Sequence, residues 1–529
     1  MAMTTTSVRT RLSPARALLA LTGATALTWA GLADPIAAYA AEAVAPVNST
    51  ITVTGAGWGH GIGLSQYGAH GAAKSGLTYS KILAFYYPKT TLGNLSSGNT
   101  IRIWITSDDD NRLNLRPASG LKVVDSAGKS YVLPRGSKYT QWRISRSGTN
   151  RVLQYKNASG SWVTKSPGLN PARVWYAENP ATGYVMVPIP GGTTKDLRGR
   201  VSLRFSGTGA RTVNTLPMES YLRSVVPSEM PTSWDLEAVK SQAVAARSYA
   251  ARLRSTASAS AIYDTCDTSA CQVYRGLATR SGTSRTVNED SRGNEAVQST
   301  ANKVVKYGSE IALTMYSSSN GGHSADGGKP YLVAKPDPYD GKPRSQLWSV
   351  SLSSSKIQGA YPTIGTLKSV TVTGRDGAGP GGGRATSVTI KGSKASVSVT
   401  GGSFKKTFGL KERLFLITAG LKPGTGNYER WQALGGVTGW VGAPTGSEKS
   451  VASGLHAPFA EADLLWSSGT GSHWLSGAVR KAYVAEGGDA SDLGFPTTDA
   501  TKTSTGTQAD FRAGRISCPT GKACVVSYG

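Results

Sequence analysis

The sequence predicts an α+β fold: a mostly β domain with one prominent helix, followed by a small repeat domain. Two observations favour this class. The central part of the chain contains short apolar or alternating runs bounded by Gly, Asn, Asp and Pro, as strands are. One longer segment after Pro231 instead carries apolar residues at three- and four-residue spacing, the period of a helix. A β-rich chain with one such helix is typical of α+β domains.

Five runs show the β pattern most clearly. They are TIRIWIT (100–106), YVMVPIP (184–190), GRVSLRF (199–205), KVVKYG (303–308) and SVTIKG (387–392). The predicted helix lies in TSWDLEAVKSQAVAARSYAARLRSTAS, where Thr232 and Asp235 fit an N-terminal capping pattern. Its apolar face is formed by Leu236, Val239, Ala243, Ala246, Ala250 and Leu253.

The first forty residues are typical of a secretory signal peptide. Three arginines precede the apolar run ALLALTGATALTWAGLA, and Ala38-Tyr39-Ala40 fits a small-x-small cleavage pattern. An N-terminal anchor helix is the alternative, but the run falls short of roughly 20 strongly apolar residues. We therefore expect a mature chain that begins at Ala41, works outside the cytoplasm and has no stable membrane span.

The mature chain is strongly basic. Removal of residues 1–40 takes away three arginines and one aspartate and lowers the formal net charge from +26 to +24. Anionic wall polymers, acidic lipids or nucleic acid would attract such a surface. The sequence shows no basic helix or RNP-like aromatic strand, so a specific nucleic-acid site is not predicted. Attraction to anionic cell-wall polymers is the simpler interpretation.

Residues 55–63 read GAGWGHGIG, with glycine at every second position. In an extended chain side chains alternate between faces, so one face here would be bare backbone. A bare face lets another strand or a sugar chain approach closely. The following GLSQYG (63–68) lacks the second glycine of a nucleophile elbow, and Ser65 with His60 has no convincing third partner for nucleophilic catalysis.

Glu229 is the candidate for acid–base chemistry. It is predicted to lie in a turn, Pro227-Ser-Glu-Met-Pro231, between the strand-like YLRSVV and the helix, because prolines restrict the chain on both sides. Apolar neighbours would desolvate its carboxyl group and raise its pKa, as a general acid near neutral pH requires. The alternative is a merely solvated carboxylate, which is the common case in turns.

Lys240 and Arg247 are seven residues apart on the predicted helix and therefore share a face. They could reach an anionic or hydroxyl-rich substrate. The alternative is a solvated face on which Glu237 pairs with Lys240 at i,i+3.

The four cysteines form two local pairs, Cys266 with Cys271 and Cys518 with Cys524. Local disulfides are favoured, since they need no long-range coincidence and suit an exported chain. Zinc at Cys266 and Cys271 is the alternative, but it needs further ligands, and no histidine lies within forty residues of this pair. We therefore predict no metal and no cofactor.

The last hundred residues contain an internal repeat. WQALGGVTGWVGAP (431–444) matches YVAEGGDASDLGFP (483–496), and three positions recur at a spacing of 52: Trp431 with Tyr483, Pro444 with Pro496, and Phe459 with Phe511. These units resemble LGFP repeats, which implies that they hold an exported enzyme at the cell envelope. The alternative for most of their aromatic residues is packing of a small core, so no binding residues are assigned there.

Four longer motifs resemble the SpoIID/LytB family, the stage II sporulation protein D domain. They are YLRSVVPSEMPTSWDLEAVKSQAVAARSYA (221–250), YDTCDTSACQVYRG (263–276), MYSSSNGGHSADGGKPYLVAKPDPYD (315–340) and GWGHGIGLSQYGAHGAAKSGLTYSKILAFYYPKTTL (57–92). The resemblance implies a peptidoglycan lytic transglycosylase. Such an enzyme cleaves between N-acetylmuramic acid and N-acetylglucosamine and leaves a 1,6-anhydro end.

The resemblance also implies roles for individual residues. The family's catalytic glutamate falls on Glu229, and one carboxyl group suffices for this reaction, in contrast to two-carboxylate glycosidases. Further residues would bind the glycan: Lys240, Gln242, Arg247, Ser318, Ser319, Gly321, Gly322, His60, Ser65 and Gln66. Some members bind zinc through two cysteines and two histidines near the cysteine motif, but those histidines are missing here, so disulfides are favoured again.

The order of the motifs departs from the family. The GHG and SQYGA motifs usually follow a strand such as the one in FGLKERLFLIT (408–418), but here they open the domain. The domain is therefore predicted to be circularly permuted, which is tolerated where termini lie close together. This predicts that residues near Thr418 pack beside residues near Ile51, and that the GHG segment lines the same cleft as Glu229.

The predicted domain organisation follows from these motifs. Residues 1–40 are the signal peptide and 41–418 the SpoIID/LytB-like domain, divided into the permuted segment 41–92, a β-rich part 93–200 and the catalytic core 201–418. A linker spans 419–427, and two LGFP-like repeats span 428–529. The expected partners are peptidoglycan glycan strands and anionic wall polymers. Some relatives enhance a wall amidase, so a non-catalytic wall-binding scaffold is the alternative function.

Overall fold

The computed structural model describes residues 43–44, 46, 49–96, 98–170, 172–340, 347–379, 382–418, 421, 425–435, 439–442, 444–445, 448–451, 453–459 and 461–529. The predicted signal peptide and much of the predicted linker lie outside the described residues. Strands account for 40 % and helices for 21 % of the residues that the structure describes. Because this strand content is well above that of an average globular protein, the structure agrees with a mostly β member of the α+β class.

The N-terminal segment forms a strand, two short helices and two further short strands. Ser65 caps the first helix by accepting a 3.0 Å hydrogen bond from the amide of Gly68. Gly71 within that helix has no side chain because a Cβ there would lie 2.3 Å from the carbonyl oxygen of Tyr339. Glycine disfavours helices, so the sequence pattern did not predict this one. The elements are β1 (Thr50–Ala56), β2 (Leu64–Ser65), α1 (Gln66–Lys74), α2 (Tyr79–Tyr86) and β3 (Thr91–Asn94).

The glycine-rich run is extended only as far as Ala56. The expectation of a longer strand with a bare face is wrong, because the next four alternating glycines have left-handed backbone. Their φ angles are +82° at Gly57, +123° at Gly59, +71° at Gly61 and +70° at Gly63. Close approach is nevertheless real: a Cβ on Gly63 would lie 2.1 Å from the carbonyl oxygen of Met315. The neighbour in that space is protein backbone, not a sugar chain.

The next part of the chain is almost entirely β. The strands predicted in residues 100–106, 184–190 and 199–205 are all present. The elements are β4 (Thr100–Trp104), β5 (Arg112–Leu115), β6 (Lys122–Asp125), β7 (Ser130–Val132), β8 (Gln141–Ser147), β9 (Asn150–Lys156), β10 (Trp162–Leu169), β11 (Trp175–Glu178), β12 (Tyr184–Pro188), β13 (Thr193–Arg198), β14 (Arg200–Ser206) and β15 (Gly209–Pro217).

Three helices and six short strands follow. They are α3 (Met218–Glu229), α4 (Leu236–Thr256), β16 (Thr265–Cys266), β17 (Ala278–Ser281), β18 (Ser284–Val287), α5 (Ser291–Ser299), β19 (Lys303–Tyr307), β20 (Glu310–Ile311) and β21 (Tyr316–Ser317). Seven strands form the largest sheet, in the order β16-β4-β15-β14-β11-β6-β7. The predicted helix is α4, which packs against α1, α2, α3 and α5 and therefore lies at the centre of this core.

The predicted turn around Glu229 is wrong, because residues 218–229 are helical. Tyr221, Leu222, Val225 and Val226 are all buried, and their spacing of one and four residues is that of a helix face. Pro227 lies in the last turn of α3, where the helix ends two residues later. Glu229 is thus the last residue of a helix. Asp235 holds the N-cap position of α4 but makes no side-chain cap; its carboxylate lies 3.1 Å from Nδ1 of His70.

A second core joins the two ends of the predicted domain. Its later elements are β22 (Leu347–Ser353), α6 (Ser354–Ala360), β23 (Leu367–Arg375), β24 (Ala385–Gly392), β25 (Ser396–Thr400), α7 (Gly401–Phe408) and β26 (Phe415–Thr418). Strand β1 lies between β22 and β26, antiparallel to both, with Thr52 opposite Thr418 and Ile51 opposite Leu352. The prediction that residues near Thr418 pack beside Ile51 is confirmed.

The tail contains two similar units, as the 52-residue period predicts. Each has a helix followed by a four-stranded antiparallel sheet. Pro444 and Phe459 form an isolated antiparallel β-bridge in the first unit, and Pro496 and Phe511 form the equivalent bridge in the second. The elements are α8 (Gly426–Ala433), β27 (Lys449–Val451), β28 (Gly454–Pro458), β29 (Ala462–Ser467), β30 (Gly471–Ser476), α9 (Gly477–Ala485), β31 (Thr501–Thr503), β32 (Gly506–Phe511), β33 (Gly514–Pro519) and β34 (Val525–Tyr528).

The repeated aromatic residues pack the cores of these units. Trp431 and Phe459 are buried in one cluster, and Tyr483 and Phe511 are stacked in the other.

Over the described ranges, no helix combines the length and the apolar character needed to cross a membrane.

Candidate active site

A cleft of about 620 Å³ lies where α3 and α4 meet two further parts of the chain. These are the cysteine loop, residues 266–273, and the GHG segment, residues 57–92. Four parts of the chain line it: residues 58–60 with 66, residues 228–229 with 249, residues 269–271 with 273, and residues 315–318. The GHG segment thus lines the same cleft as Glu229, as the sequence predicts. The volume falls within the range of ligand sites, roughly 300–1,000 Å³.

Glu229 is held by the end of α3 and by the cysteine loop. The backbone amide of Val273 donates a 2.7 Å hydrogen bond to its Oε1. Burial raises the pKa of Glu229, although the Val273 amide, the hydroxyl of Tyr316 and the charge of Arg275 oppose the rise. A carboxyl group with a raised pKa retains its proton closer to neutral pH, as a general acid must.

A buried chain of hydrogen bonds leads to Glu229. Tyr221 donates to Oε1 of Gln272 (3.0 Å), and Nε2 of Gln272 donates to the hydroxyl of Tyr316 (2.9 Å). The same hydroxyl interacts with Glu229 and lowers the pKa of its carboxyl group, against the effect of burial. Gln272 also donates to the carbonyl of Ala246 in α4 (3.2 Å), which fixes its orientation.

No pattern in the sequence predicts these hydrogen bonds. The only available signal was position: Gln272 directly follows Cys271, and Tyr316 opens the YSSSN stretch.

His60 lies in the cleft wall as an uncharged ring. Its Nδ1 accepts a 2.9 Å hydrogen bond from the amide of Ile62. Burial, together with the charge of Lys405, lowers the pKa of His60 to about 4. The ring is therefore neutral at pH 7, and it can take part in hydrogen bonds but does not supply a positive charge.

Gln66 also lines the cleft, at the start of α1. Its Nε2 donates a 3.3 Å hydrogen bond to Oε1 of Gln242, which is fully buried in α4. Gln242 therefore supports a cleft residue and is not itself among the residues that line the cleft. Ser318 does line it, and its carbonyl accepts from the amide of Tyr67, so the 315–318 strand is bound to the GHG segment.

Two family models match this chain. Residues 206–307, which contain α3, α4 and the cysteine loop, match SpoIID, described as Stage II sporulation protein. The chain contains a SpoIID domain. Residues 441–491 match the LGFP repeat.

Three relatives show the extent of the similarity. The amidase enhancer of Bacillus subtilis (strain 168) is 38 % identical over 143 residues, which are 26 % of this chain and 17 % of that protein. Stage II sporulation protein D of the same organism is 31 % identical over 172 residues, 30 % of this chain and 49 % of that protein. Stage II sporulation protein D of Bacillus amyloliquefaciens is 29 % identical over 221 residues, 39 % of this chain and 60 % of that protein. The matches thus span less than two thirds of each relative.

Two helix residues expected to bind glycan lie elsewhere in the SpoIID domain. Arg247 has no exposed surface; its guanidinium forms a bidentate pair with Glu219 (2.9 and 2.6 Å) and donates to the carbonyls of Val297 and Lys303. Lys240 forms the i,i+3 ion pair with Glu237 (2.8 Å). Neither is among the residues that line the cleft. Sequence spacing placed both on one face of α4, but that face packs against neighbouring helices.

Ser65 and Ser319 are structural residues. Both are fully buried, and both donate to the carboxylate of Asp340, which also accepts from the amide of Asn320 (2.6 Å). This carboxylate ties the GHG segment to the loop of residues 315–340. The structure places both serines in this buried network and not among the residues that line the cleft.

Gly321 and Gly322 form a turn with φ angles of +71° and +91°. A Cβ on Gly321 would lie about 3.0 Å from Ala56 and 2.9 Å from Leu414, so this glycine permits close packing against the end of β1 and the residue before β26. The structure places it in that contact and not among the cleft-lining residues.

Both predicted disulfides are present: Cys266 with Cys271 and Cys518 with Cys524. Cys271 lies in the cleft wall, so the first disulfide shapes the loop that carries Val273 and Gln272. In the part of the chain that the structure describes, no group of three or more His, Cys, Asp or Glu side chains is placed to hold a metal ion.

Proposed function

We propose that this protein is a secreted peptidoglycan lytic transglycosylase, with Glu229 as its general acid and base. The observation that carries the proposal is the position of Glu229. It is a partly buried carboxyl group with a raised pKa, in a cleft of ligand size, within the segment that matches the SpoIID family. Among the described residues that line this cleft, it is the single carboxylate.

One carboxyl group can perform both steps of the reaction. Protonated Glu229 donates its proton to the glycosidic oxygen as the bond from that oxygen to C1 of N-acetylmuramic acid breaks. The C6 hydroxyl of the same sugar then bonds to C1, and its proton returns to the Glu229 carboxylate. No water is consumed, and the products are a 1,6-anhydro end and a free 4-hydroxyl on N-acetylglucosamine. A second carboxylate, as hydrolytic glycosidases need, has no role in this scheme.

The remaining features favour a role at the cell wall. The SpoIID domain and the LGFP repeat favour an extracellular or cell-wall location, and the basic charge suits anionic wall polymers. Peptidoglycan glycan strands are the proposed substrate, with the repeats as a wall anchor.

A second candidate is a wall-binding scaffold that stimulates an amidase. One observation favours it: the relative that is 38 % identical to this chain bears the name amidase enhancer.

Digestion of purified glycan strands separates the two candidates. Strands with and without stem peptides are incubated with the wild type and with Glu229→Gln, and the products are analysed by mass spectrometry for anhydromuramyl ends. The enzyme hypothesis expects such ends from the wild type and none from the variant. If neither glycan yields anhydro ends, but both proteins stimulate a wall amidase equally, the scaffold is correct.

We also propose that the SpoIID domain is circularly permuted. The pairing of β1 with β26 supports this, because it places the start of the GHG segment beside the end of residues 408–418.

A further inference from the structure

Trp58 is an exposed tryptophan in the wall of the cleft. It is 53 % exposed, whereas Trp142, Trp175 and Trp431 are at most 1 % exposed. Large apolar side chains that stay in contact with water inside a concave site are typical of binding surfaces, because covering them by a ligand releases that water.

The backbone of Trp58 is held on both sides. Its amide donates to the carbonyl of Ser319 (2.9 Å), and its carbonyl accepts from the amide of Ser319 (3.1 Å). The neighbours are fixed as well: Gly59 donates to the carbonyl of Lys411 (3.0 Å), and the indole of Trp348 donates to the carbonyl of Gly57 (2.9 Å). The aromatic ring is therefore presented from a rigid support, so little conformational freedom would be lost on binding.

The ring itself is oriented by a cation. Nζ of Lys411 lies 4.4 Å from the centre of the Trp58 ring, within the range of a cation–π contact. One part of the indole surface is thus occupied by a side chain, and about half of the residue's surface remains open. In the described structure the Trp58 indole makes no hydrogen bond, so the contact with Lys411 is what orients the ring.

We propose that Trp58 is a stacking platform for one pyranose ring of the glycan strand, forming a sugar subsite in the cleft beside the bond that is cleaved. The proposal rests on the proposed function, since it takes glycan as the ligand. The C–H bonds on one face of a pyranose form an apolar, slightly positive surface, which complements the negative face of an indole. The hydroxyl and acetamido groups at the sugar's edge stay free to bond to neighbouring backbone groups.

The test measures binding without turnover. In the Glu229→Gln background, affinity for a soluble tetrasaccharide of alternating N-acetylglucosamine and N-acetylmuramic acid is measured by calorimetry. Trp58→Ala should weaken binding roughly 10- to 100-fold, because it removes most of an aromatic contact surface. Trp58→Tyr keeps an aromatic face and should stay within about five-fold. Trp440→Ala is the matched control, since Trp440 is 49 % exposed but lies outside the cleft.

Each outcome decides the proposal. Unchanged affinity in a Trp58→Ala variant that melts like its parent overturns the platform, and so does a parent protein that binds no tetrasaccharide. Equal losses in Trp58→Ala and Trp440→Ala also overturn it. If Trp58→Ala alone loses binding while the wild type yields no anhydro ends, the platform stands and the proposed cleavage activity fails.

Discussion

The amide of Val273 donates a hydrogen bond to Oε1 of Glu229 across 44 residues of sequence. The bond joins the end of α3 to the residues that directly follow the Cys266–Cys271 disulfide. An N–H group directed at a carboxyl oxygen stabilises the charged form, whereas burial destabilises it. Since burial is the larger effect, the pKa of Glu229 is raised. The hydrogen bond from Val273 still fixes the orientation of the Glu229 carboxyl group.

The hydroxyl of Tyr316 also stabilises the Glu229 carboxylate, so Tyr316→Phe should raise the pKa of Glu229 further. Glu229 must be protonated to act as an acid, so activity falls as the pH rises through its pKa. The alkaline limb of the pH–rate profile should therefore move to higher pH. We expect kcat at the optimum to fall roughly ten-fold, because the carboxyl group loses an orienting contact.

Tyr249→Phe is the matched control for Tyr316→Phe. Tyr249 also lines the cleft and contacts Tyr316 edge-on, but its hydroxyl is not part of the chain from Tyr221 through Gln272. A full pH–rate profile of both variants is the measurement. An alkaline limb that stays in place in Tyr316→Phe contradicts the effect of the Tyr316 hydroxyl on the pKa of Glu229.

Arg247 should stabilise the fold and not the complex with glycan. Arg247→Met breaks a pair buried on the arginine side and should lower the free energy of unfolding by about 3 kcal/mol. Lys240→Met, which breaks a partly exposed i,i+3 pair on the same helix, should cost less than about 1 kcal/mol. Urea unfolding followed by circular dichroism measures both. An Arg247→Met variant of unchanged stability that no longer binds the tetrasaccharide would restore the substrate-binding role.

The repeats should lose stability at alkaline pH through His456. Burial alone would lower the pKa of His456, but the carboxylates of Asp463 and Asp489 together raise it to about 9. A histidine whose pKa is raised on folding stabilises the fold fully below its unfolded pKa of about 6.5, and the contribution is lost as the pH rises through the folded pKa. A rise from about 6.5 to about 9 corresponds to roughly 3 kcal/mol.

Thermal unfolding between pH 6 and 10 tests the His456 contribution. The midpoint of the transition that includes the repeats should fall over this range in the wild type. In His456→Gln it should start lower and change less with pH. Parallel pH curves for the two proteins would show that His456 does not carry the effect.

A rearranged chain tests the permutation. Thr418 at the end of β26 lies opposite Thr52 near the start of β1, and the strands are antiparallel, so a short turn can join 418 to 50 as a hairpin. A chain in the order 99–418, turn, 49–98, followed by the repeats, is cut between β3 and β4, where Gly98 is exposed, and should melt within about 5 °C of the wild type. The control chain consists of 99–418 followed directly by the repeats, with 49–98 omitted. It should not fold, because the central strand of the β22-β1-β26 sheet is missing.

Local patterns predicted the secondary structure where one period dominated. The apolar stripe of α4 and the five strand runs were recognisable because each is long enough to repeat its own period. Helix α3 was missed because its Val-Val-Pro sequence has strand-like and turn-like local preferences, which burial of Tyr221 and Leu222 overrides. Helix α1 was missed because it contains Gly68 and Gly71. These glycines are needed there because a Cβ would collide with Tyr86 or Tyr339, which lie outside the helix.

The candidate site was predictable only where a local motif contains the residue that lines the cleft. The motifs identified the segments that meet in the cleft, and Glu229, His60, Gln66 and Ser318 do line it. The direction of a side chain on a packed helix depends on all of its neighbours, so Arg247 and Gln242 could not be separated from cleft residues by spacing. The hydrogen bonds from Tyr221 through Gln272 to Tyr316 join three segments of the sequence. No sequence motif within any one of these segments predicts them.

The position of β1 has a consequence for how the chain reaches its active form. Its two neighbouring strands are synthesised about 300 residues or more after it, as the contact between Thr54 and Ser349 illustrates with a separation of 295. A chain that emerges from its N-terminus must keep this strand unpaired until β22 and β26 follow. The wall of the cleft formed by residues 58–60 depends on the same pairing. A nascent or truncated chain therefore lacks the finished cleft, and any activity of this site arises only when nearly the whole domain has been made.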